Sequence, residues 1–399
     1  MYEKSFIPYR GYFSSPFARW QGSLQLDHPL ELAAATVRKW FTKKGIDAKM
    51  FDYVYMGATV GQLHTFFYGP WASALIGATE RPGLYVSQAC STSTTCINLS
   101  AVGIETGMHT VVMALMADRT SNGPHTTWPN PLGPGAEVIH ENWIMDNFNY
   151  EPIGQQPMVQ TAENVGKKVK GGVTKEFADA VTLRRYEQYL DALKNDRAFQ
   201  KGYMFPVEFT KGKKEKGVLE ADEGIMPTTK EGLAKLKPLI PGGVHSFGAQ
   251  THPADGHAAV IITTKEKAKE LSADPKITIQ ILSYGYARAE KAHMGMAPVP
   301  AARMAMEKAG ITVTDIKAIK THNPFVANDI YMASELGIDV MGFDNYGSSI
   351  IYGHPQAPTA ARLIMELIEE VVMLGGGYGL FTGCAAGDTG AALVVKVSC

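Results

Sequence analysis

The same order of helical and strand-like segments occurs twice in this chain, once near each end. In residues 29–57 and again in residues 299–322, apolar residues at helical spacing lead to a glycine, which favours the end of a helix. A strand-like run follows, at residues 51–56 in the first copy and 316–319 in the second. An internal repeat of this kind predicts a fold built from two duplicated βα halves.

Two turns occupy equivalent places in this repeat. About as many residues separate Gly57 from Cys90 as separate His322 from His354. In α/β folds, ligands gather where strand ends meet helix N-termini. We therefore expect an α/β fold with mixed sheets and a functional site between the two halves, at the point that both turns approach.

The middle of the chain has a different composition. It opens with a segment rich in proline and glycine at residues 128–135 and continues with a helical pattern at residues 175–194. With 399 residues, the chain is too long for one simple core. We predict an N-terminal half at residues 1–268, with a loop domain inserted at about 119–246, and a C-terminal half at residues 269–399.

Charge and cysteine content argue against several classes of protein. Lys and Arg number 38 against 39 Asp and Glu, and this balance offers no general attraction to nucleic acid or to an anionic membrane. We find no uninterrupted apolar stretch long enough to span a bilayer. Cys96 and Cys399 are poor candidates for a structural disulfide, and the cysteines lack Cys-x-x-Cys spacing. We expect a cytoplasmic chain that binds no metal of its own.

Cys90 is the strongest candidate for a catalytic residue. A short apolar run precedes it, and hydroxyl residues and a long helical pattern follow, so its thiol is predicted to face the free N–H groups of a helix start. An isolated cysteine is more often a buried structural residue. Three later segments favour chemistry, because they add two imidazoles and a second thiol, as covalent thioester chemistry requires. These are His322 in residues 321–325, His354 in residues 353–355, and Cys384 in residues 383–390.

In this order the four segments resemble the thiolase superfamily, and the resemblance covers nearly the whole chain. The surroundings of Cys90 resemble the family's nucleophile motif, and residues 353–355 match its Gly-His-Pro box. The His-first box at residues 322–325 is similar to that of the sterol-carrier-protein type, and residues 161–164 and 222–238 resemble the coenzyme-A-binding loop domain. The resemblance implies the thiolase fold, in which two βα halves form a five-layer αβαβα body.

The resemblance also implies a role for each side chain. Cys90 would attack the keto carbon of a 3-oxoacyl-CoA and carry the acyl group. The backbone N–H groups of Cys90 and Ala386 would stabilise the first oxyanion, and His322 and His354 the enolate of the departing thioester. His354 would also take the proton of Cys90, and Cys384 would act as the acid and base that serves the leaving carbanion and the incoming CoA.

CoA would be a substrate, and the resemblance implies no permanently bound cofactor. The residues implied to contact CoA are Met158, Thr251, Pro324 and Phe325. Contacts with the phosphates stay open among the basic residues of the middle region, Lys167, Lys168, Arg184, Arg185 and Lys213. Departures from the common family pattern at Pro157, Ala249 and Asp388 leave the shape of the pantetheine tunnel and acyl pocket open.

The first hundred residues are rich in aromatic side chains, which indicate either core packing or a pocket for an aromatic acyl group. Residues 12–22 and the divergent loops resemble the thiolase subunits of 2-benzoylsuccinyl-CoA thiolases from anaerobic toluene degradation. This resemblance implies cleavage to benzoyl-CoA and succinyl-CoA. It also implies a homodimer of this chain that joins a small companion subunit with a zinc ribbon and an OB-fold, as a heterotetramer carrying zinc in the companion only.

Three other functions stay open. The chain could be a general 3-ketoacyl-CoA or acetoacetyl-CoA thiolase. A decarboxylating ketosynthase would also use Cys90, His322 and His354, but it takes its carbanion from loss of CO2 and has no need of Cys384. A non-catalytic scaffold that binds acyl-CoA or lipid would have no use for two reactive thiols.

Overall fold

The computed structural model describes residues 1–212 and 215–399. Strands and helices alternate over much of the chain, as the sequence predicts. The strands are β1 (Phe6–Ile7), β2 (Tyr12–Ser14), β3 (Ala18–Arg19), β4 (Tyr53–Gly57), β5 (Gly83–Val86), β6 (Val111–Arg119), β7 (His125–Pro129), β8 (Val138–Asn142), β9 (Val207–Lys211), β10 (Glu215–Leu219), β11 (Ala254–Thr263), β12 (Thr278–Arg288), β13 (Ile316–His322), β14 (Gly377–Ala385) and β15 (Thr389–Ser398). The α-helices are α1 (Pro29–Lys44), α2 (Tyr68–Ile76), α3 (Thr92–Glu105), α4 (Trp143–Asn149), α5 (Met158–Lys168), α6 (Lys175–Ala192), α7 (Lys194–Lys201), α8 (Lys230–Lys235), α9 (Lys265–Leu271), α10 (Pro298–Ala309), α11 (Val326–Leu336), α12 (Ser349–Tyr352) and α13 (Pro358–Met373).

One hydrogen-bonded path connects the strands of both halves. Its order is β13-β14-β15-β12-β1-β11-β6-β4-β5, and β2 and β3 also pair with β11. The strands are parallel where β4 pairs with β5 and β6 and where β13 pairs with β14, and antiparallel along the rest of the path. The short strand β1 pairs with both β11 and β12 and so joins the two halves.

The helices and strands form five layers. Helices α1 and α2 cover the outer face of the N-terminal strands, and α10 covers the outer face of the C-terminal strands. Helices α3 and α13 lie between the N-terminal strands and the C-terminal strands. They contact each other and strands of both halves. This αβαβα arrangement confirms the predicted fold class. Because α13 packs on every side, its residues from Pro358 to Val371 are buried.

The predicted repeat is present in the structure. Helix α1 begins with a proline and ends at Gly45, whose φ of 68° closes the helix in the left-handed conformation that glycine adopts without strain. Helix α10 likewise ends at Gly310 with φ 69°, and β4 and β13 follow the two helices. Cys90 precedes α3 and His354 precedes α13, so the equivalent turns lead into the two central helices.

The middle region lies outside the five layers and carries two small hairpins, β7–β8 and β9–β10. The predicted helix at residues 175–194 is confirmed as α6, although residues 128–129 belong to strand β7 and not to an irregular loop. Lys213 lies outside the described residues. In the part of the chain that the structure describes, we find no helix of the length and apolarity that crossing a membrane requires.

Candidate active site

Cys90 lies at the turn between β5 and α3, where the sequence predicts it. A single 3-10 turn at Ala89–Ser91 carries it, and Ala89 has a left-handed φ of 46°. The side chain of Thr92 secures this turn, because its hydroxyl donates to the carbonyl of Ala89 at 2.7 Å and accepts from the backbone N–H of Gln88 at 2.9 Å. A non-glycine residue in this conformation is strained, and such strain is concentrated at functional sites.

His354 is the direct partner of Cys90. Its Nε2 lies 3.1 Å from the Cys90 sulfur, and its Nδ1 lies 2.6 Å from the hydroxyl of Thr359. Burial raises the pKa of the Cys90 thiol to about 12 and lowers the pKa of His354 well below its ordinary value. The free site therefore holds a neutral thiol beside a neutral imidazole, and the proton can pass to His354 when the sulfur attacks an electrophile.

His322 packs against His354, with 4.1 Å between the ring centroids. Its Nδ1 lies 2.9 Å from the hydroxyl of Ser349, whereas its Nε2 is buried and has no partner among the described residues. Burial lowers the pKa of His322 to about 3, so its ring is neutral. Ligand atoms of Cys90, His322 and His354 all lie within 4.8 Å of one another, and these three residues could together hold a metal ion.

Cys384 lies near the end of β14 and is fully buried. The side-chain amide of Asn328 donates to its sulfur at 3.2 Å. Burial, and then the nearby Cys90 thiol, raise the pKa of Cys384 well above its ordinary value. The backbone N–H groups of Cys90 and Ala386 both donate towards the Cys90 sulfur and lower its pKa, although burial outweighs them. The structure thus brings together all five residues to which the resemblance to thiolases assigns catalytic roles.

The predicted CoA contacts lie beside this site. Met158 and Phe325 pack in the same cluster as Cys384. The backbone N–H of Thr251 donates to the carbonyl of Pro324 at 2.8 Å. The Thr251 hydroxyl donates its hydrogen to the carbonyl of Ser349. While that hydrogen bond is intact, the hydroxyl can only accept a hydrogen bond from a ligand.

Among the candidates for phosphate contacts, Arg185 is excluded. It is fully buried and pairs with Asp329 at 3.0 Å and with Asp344 at 3.4 Å. Lys168 pairs with Glu290 at 2.8 Å, but both side chains are about half exposed. Arg184 is partly exposed to solvent. Together with other residues of α6 and with residues of α8, it lines a cavity of about 440 Å³.

The N-terminal aromatic residues are core residues for the most part. The Tyr12 hydroxyl donates to Glu369 at 2.9 Å, and Phe17 packs on Tyr352 with 5.7 Å between the ring centroids. These side chains are buried in the body of the protein, so core packing explains them. Phe66, by contrast, is 90% exposed.

Several site residues are not evident from the sequence. Asp118 accepts hydrogen bonds from the backbone of Thr59, Val60 and Ala357, so it joins the turns of the two halves, and burial raises its pKa to about 8. Gln356 approaches the Cys90 sulfur at 3.5 Å with a left-handed φ of 64°. The position of Gln356, two residues after His354, indicates that it lies near the site. Nothing in the sequence connects Asp118 with a turn about 240 residues away.

Two family models match the chain. The model described as the thiolase N-terminal domain matches residues 13–266, and the model described as the thiolase C-terminal domain matches residues 275–397. The fold and these matches define an acyltransferase of the thiolase type. The chain belongs to the thiolase family.

Individual proteins are similar over the same length. An acetyl-CoA acetyltransferase of Syntrophomonas wolfei is 30% identical over 400 residues and covers 96% of each chain. The crystal structure of the acetyl-CoA acetyltransferase of Bacillus anthracis is 26% identical, with a TM-score of 0.88 over 99% of both chains. Human mitochondrial 3-ketoacyl-CoA thiolase has the same fold, with a TM-score of 0.89 at 24% identity over 99% of both chains.

Proposed function

We propose that this enzyme cleaves 3-oxoacyl-CoA with CoA through an acyl group carried on Cys90. The observation that supports this most is the 3.1 Å contact between the Cys90 sulfur and His354 Nε2, with the buried thiol of Cys384 nearby. The names of the relatives favour a general thiolase, which acts on linear substrates such as acetoacetyl-CoA.

In the first half-reaction, the Cys90 sulfur attacks the 3-keto carbon while its proton passes to His354 Nε2. The tetrahedral adduct then breaks its C2–C3 bond, which leaves the acyl group on sulfur and expels an acyl-CoA enolate. Cys384 protonates that enolate at carbon. The backbone N–H groups of Cys90 and Ala386 stabilise the adduct oxygen, and each such donor is typically worth about a hundred- to a thousandfold in rate.

In the second half-reaction, Cys384 takes the proton of an incoming CoA thiol, and the CoA sulfur attacks the acyl group on Cys90. The Cys90 thiolate leaves and recovers its proton from His354. Cys90 thus recovers its own proton from His354, and Cys384 replaces the proton that it gave to the enolate with the proton of CoA. Each step can run in either direction, so the same residues serve condensation and thiolysis.

The second candidate substrate is 2-benzoylsuccinyl-CoA. It is supported by the likeness of residues 12–22 to the thiolase subunits of that pathway. Tyr12 and Phe17 of this segment lie in the core, so they offer no wall for an aromatic acyl group. Gln356, buried beside the nucleophile, is a better candidate for a residue that distinguishes acyl groups.

A substrate panel tests the proposed activity. Purified enzyme is incubated with CoA and with acetoacetyl-CoA, longer linear 3-oxoacyl-CoAs or 2-benzoylsuccinyl-CoA, and the products are identified by mass spectrometry. We expect cleavage of linear substrates. Cleavage of 2-benzoylsuccinyl-CoA alone would establish the second candidate, and decarboxylation or binding without turnover would favour the ketosynthase or the scaffold.

We also propose how the chain is organised and assembled. The two halves at residues 1–268 and 269–399 follow from the repeat, and the loop domain at about 119–246 from the different composition of that region. A reducing compartment such as the cytoplasm suits two catalytic thiols. A homodimer could form along β5, which ends the strand order and exposes 46% of Leu84. A zinc-carrying companion could cover exposed apolar residues of the middle region, such as Trp128, Ile139 and Met145.

Light scattering after size-exclusion chromatography tests the assembly. We expect a dimer of this chain expressed alone. A heterotetramer that forms on co-expression and contains zinc would support the companion, and a homodimer fully active on 2-benzoylsuccinyl-CoA by itself would exclude the need for it.

A further inference from the structure

Ser349 connects the imidazole of His322 to a buried polar network. It is the first residue of α12 and is fully buried. Its hydroxyl lies 2.9 Å from His322 Nδ1, accepts from the backbone N–H of Asn323 at 3.2 Å, and lies 3.1 Å from Asn323 Oδ1. The one hydrogen of this hydroxyl therefore has two possible acceptors, the ring nitrogen of His322 and the side-chain carbonyl of Asn323.

The orientation of the Asn323 amide is fixed by its neighbours. Its Nδ2 donates to Asp329 at 2.8 Å, to Ser348 at 3.1 Å and to Asp344 at 3.3 Å. Because the carboxylate of Asp329, which pairs with Arg185, only accepts, the amide nitrogen must face it. Its Oδ1 already accepts from the backbone N–H of Ile350 at 3.2 Å. The carbonyl of Asn323 is thus satisfied without Ser349, and the Ser349 hydrogen is available to His322.

The ring of His322 is neutral in this buried site and carries a hydrogen on one nitrogen only, so the hydrogen bond at Nδ1 decides what Nε2 presents to the active site. If Nδ1 carries the hydrogen, Nε2 faces the pocket as a lone pair and can only accept. If Nδ1 accepts from Ser349, Nε2 carries the hydrogen and faces the pocket as a donor. Nε2 has no partner within the described structure, so it is free to meet a substrate atom.

We propose that Ser349 is a positioning residue that donates its hydroxyl hydrogen to His322 Nδ1 and thereby holds the tautomer with Nε2–H directed into the active site. The inference rests on the proposed function, in which an oxyanion forms on the departing thioester. A donor at Nε2 stabilises that oxyanion, whereas a lone pair there would repel it. Ser349 thus makes His322 an electrophilic residue and leaves the proton transfers to His354 and Cys384.

Nitrogen NMR of histidine tests the tautomer in the free enzyme, without any substrate. The chain is labelled with 15N-histidine, and the His322 signals are assigned as those absent from His322→Asn. We expect Nδ1 in the range of an unprotonated ring nitrogen and Nε2 in the range of a protonated one. The reverse pattern in the wild-type enzyme would overturn the proposal, whatever the enzyme catalyses.

Ser349→Ala removes the donor, and Ser348→Ala is the matched control, since Ser348 contacts the same Asn323 amide but not His322. We expect Ser349→Ala to lose the Nε2–H tautomer and to lower kcat for thiolysis about tenfold or more, with KM nearly unchanged. Ser348→Ala should keep the tautomer and most of kcat, and Ser349→Thr, which retains a hydroxyl, should restore both.

An unchanged tautomer and kcat in Ser349→Ala would contradict the role of Ser349. Should that variant not fold, the wild-type spectrum and Ser349→Thr still decide. Failure of the proposed function would look different, because the wild-type tautomer would then be as expected while no 3-oxoacyl-CoA is cleaved.

Discussion

At the scale of single residues, burial sets the protonation of this site. Cys90 and Cys384 have raised pKa values and His322 and His354 have lowered ones, and desolvation is the largest cause for all four. Neutral groups give a resting site without a thiolate that could be oxidised or alkylated. The nucleophile is formed only when a substrate that can receive the electron pair is in place.

The pH dependence of alkylation tests this resting state. A thiol with a pKa of about 12 forms more thiolate at every step upwards in pH, so iodoacetamide should label Cys90 about tenfold faster per pH unit between pH 6 and pH 9. The experiment uses a Cys399→Ser background, because Cys399 is exposed and would react first. A plateau at neutral pH would instead indicate a preformed thiolate–imidazolium pair.

Cys384→Ala separates proton transfer from nucleophilic attack. Without its acid and base, the enzyme should lose thiolysis by about a hundredfold or more, while an activated thioester still acylates Cys90. Cys96→Ala is the matched control, because Cys96 is also a buried thiol but lies within α3, in the core. Rates of acylation and thiolysis measured separately check this, and near-normal thiolysis in Cys384→Ala would remove the proposed role.

At the scale of the elements, the sequence predicts most of what local patterns control. The ends of α1 and α10, the strands that follow them and the placement of Cys90 before α3 all agree with the apolar spacing and the glycines. Ser349 and Asn328 could not be predicted as site residues. Their partners His322 and Cys384 lie 27 and 56 positions away, and only the packed sheet and helices bring them together.

Close packing between elements explains one glycine. A Cβ on Gly285, in β12, would overlap the backbone carbonyl of Ala301 in α10. Gly285→Ala should therefore lower the free energy of unfolding by about 2 kcal/mol or more, because backbone must move to make room. Gly166→Ala in α5, where the nearest atoms lie 3.7 Å from the new Cβ, should be neutral or slightly stabilising. Urea denaturation of both variants checks this, and equal stability would contradict it.

At the scale of the whole molecule, a buried ion cluster joins the middle region to the central helix. Arg362 of α13 pairs with Asp222 at 2.6 Å and with Glu366 at 3.0 Å, and its guanidinium lies 3.6 Å from the centre of the Tyr352 ring. The sequence gives no indication of this cluster, since an arginine inside an apolar helix has no local partner for Asp222. The two βα halves, by contrast, follow from the repeat, and the five layers follow from the resemblance to thiolases.

Arg362→Ala would leave the buried carboxylate of Asp222 without its cation, whereas Glu366 would keep its pair with Lys320 at 3.0 Å. Breaking a buried pair in this way typically costs about 3–5 kcal/mol, because the remaining charge stays desolvated. Arg303→Ala is the control, since the pair of Arg303 with Glu335 is about half exposed and should be worth at most about 1 kcal/mol. Chemical denaturation compares the two losses, and a small loss in Arg362→Ala would show that the cluster does not anchor the middle region.

The acyl group on Cys90 is the central claim of this account, and its detection is the most direct test. The enzyme is mixed with acetoacetyl-CoA in the absence of free CoA, quenched with acid, digested and analysed by peptide mass spectrometry. We expect an acetyl group on the peptide that contains Cys90, its disappearance when CoA is added, and no adduct in Cys90→Ser. An adduct on Cys96 or Cys384, or thiolysis by Cys90→Ser at the wild-type rate, would contradict the account.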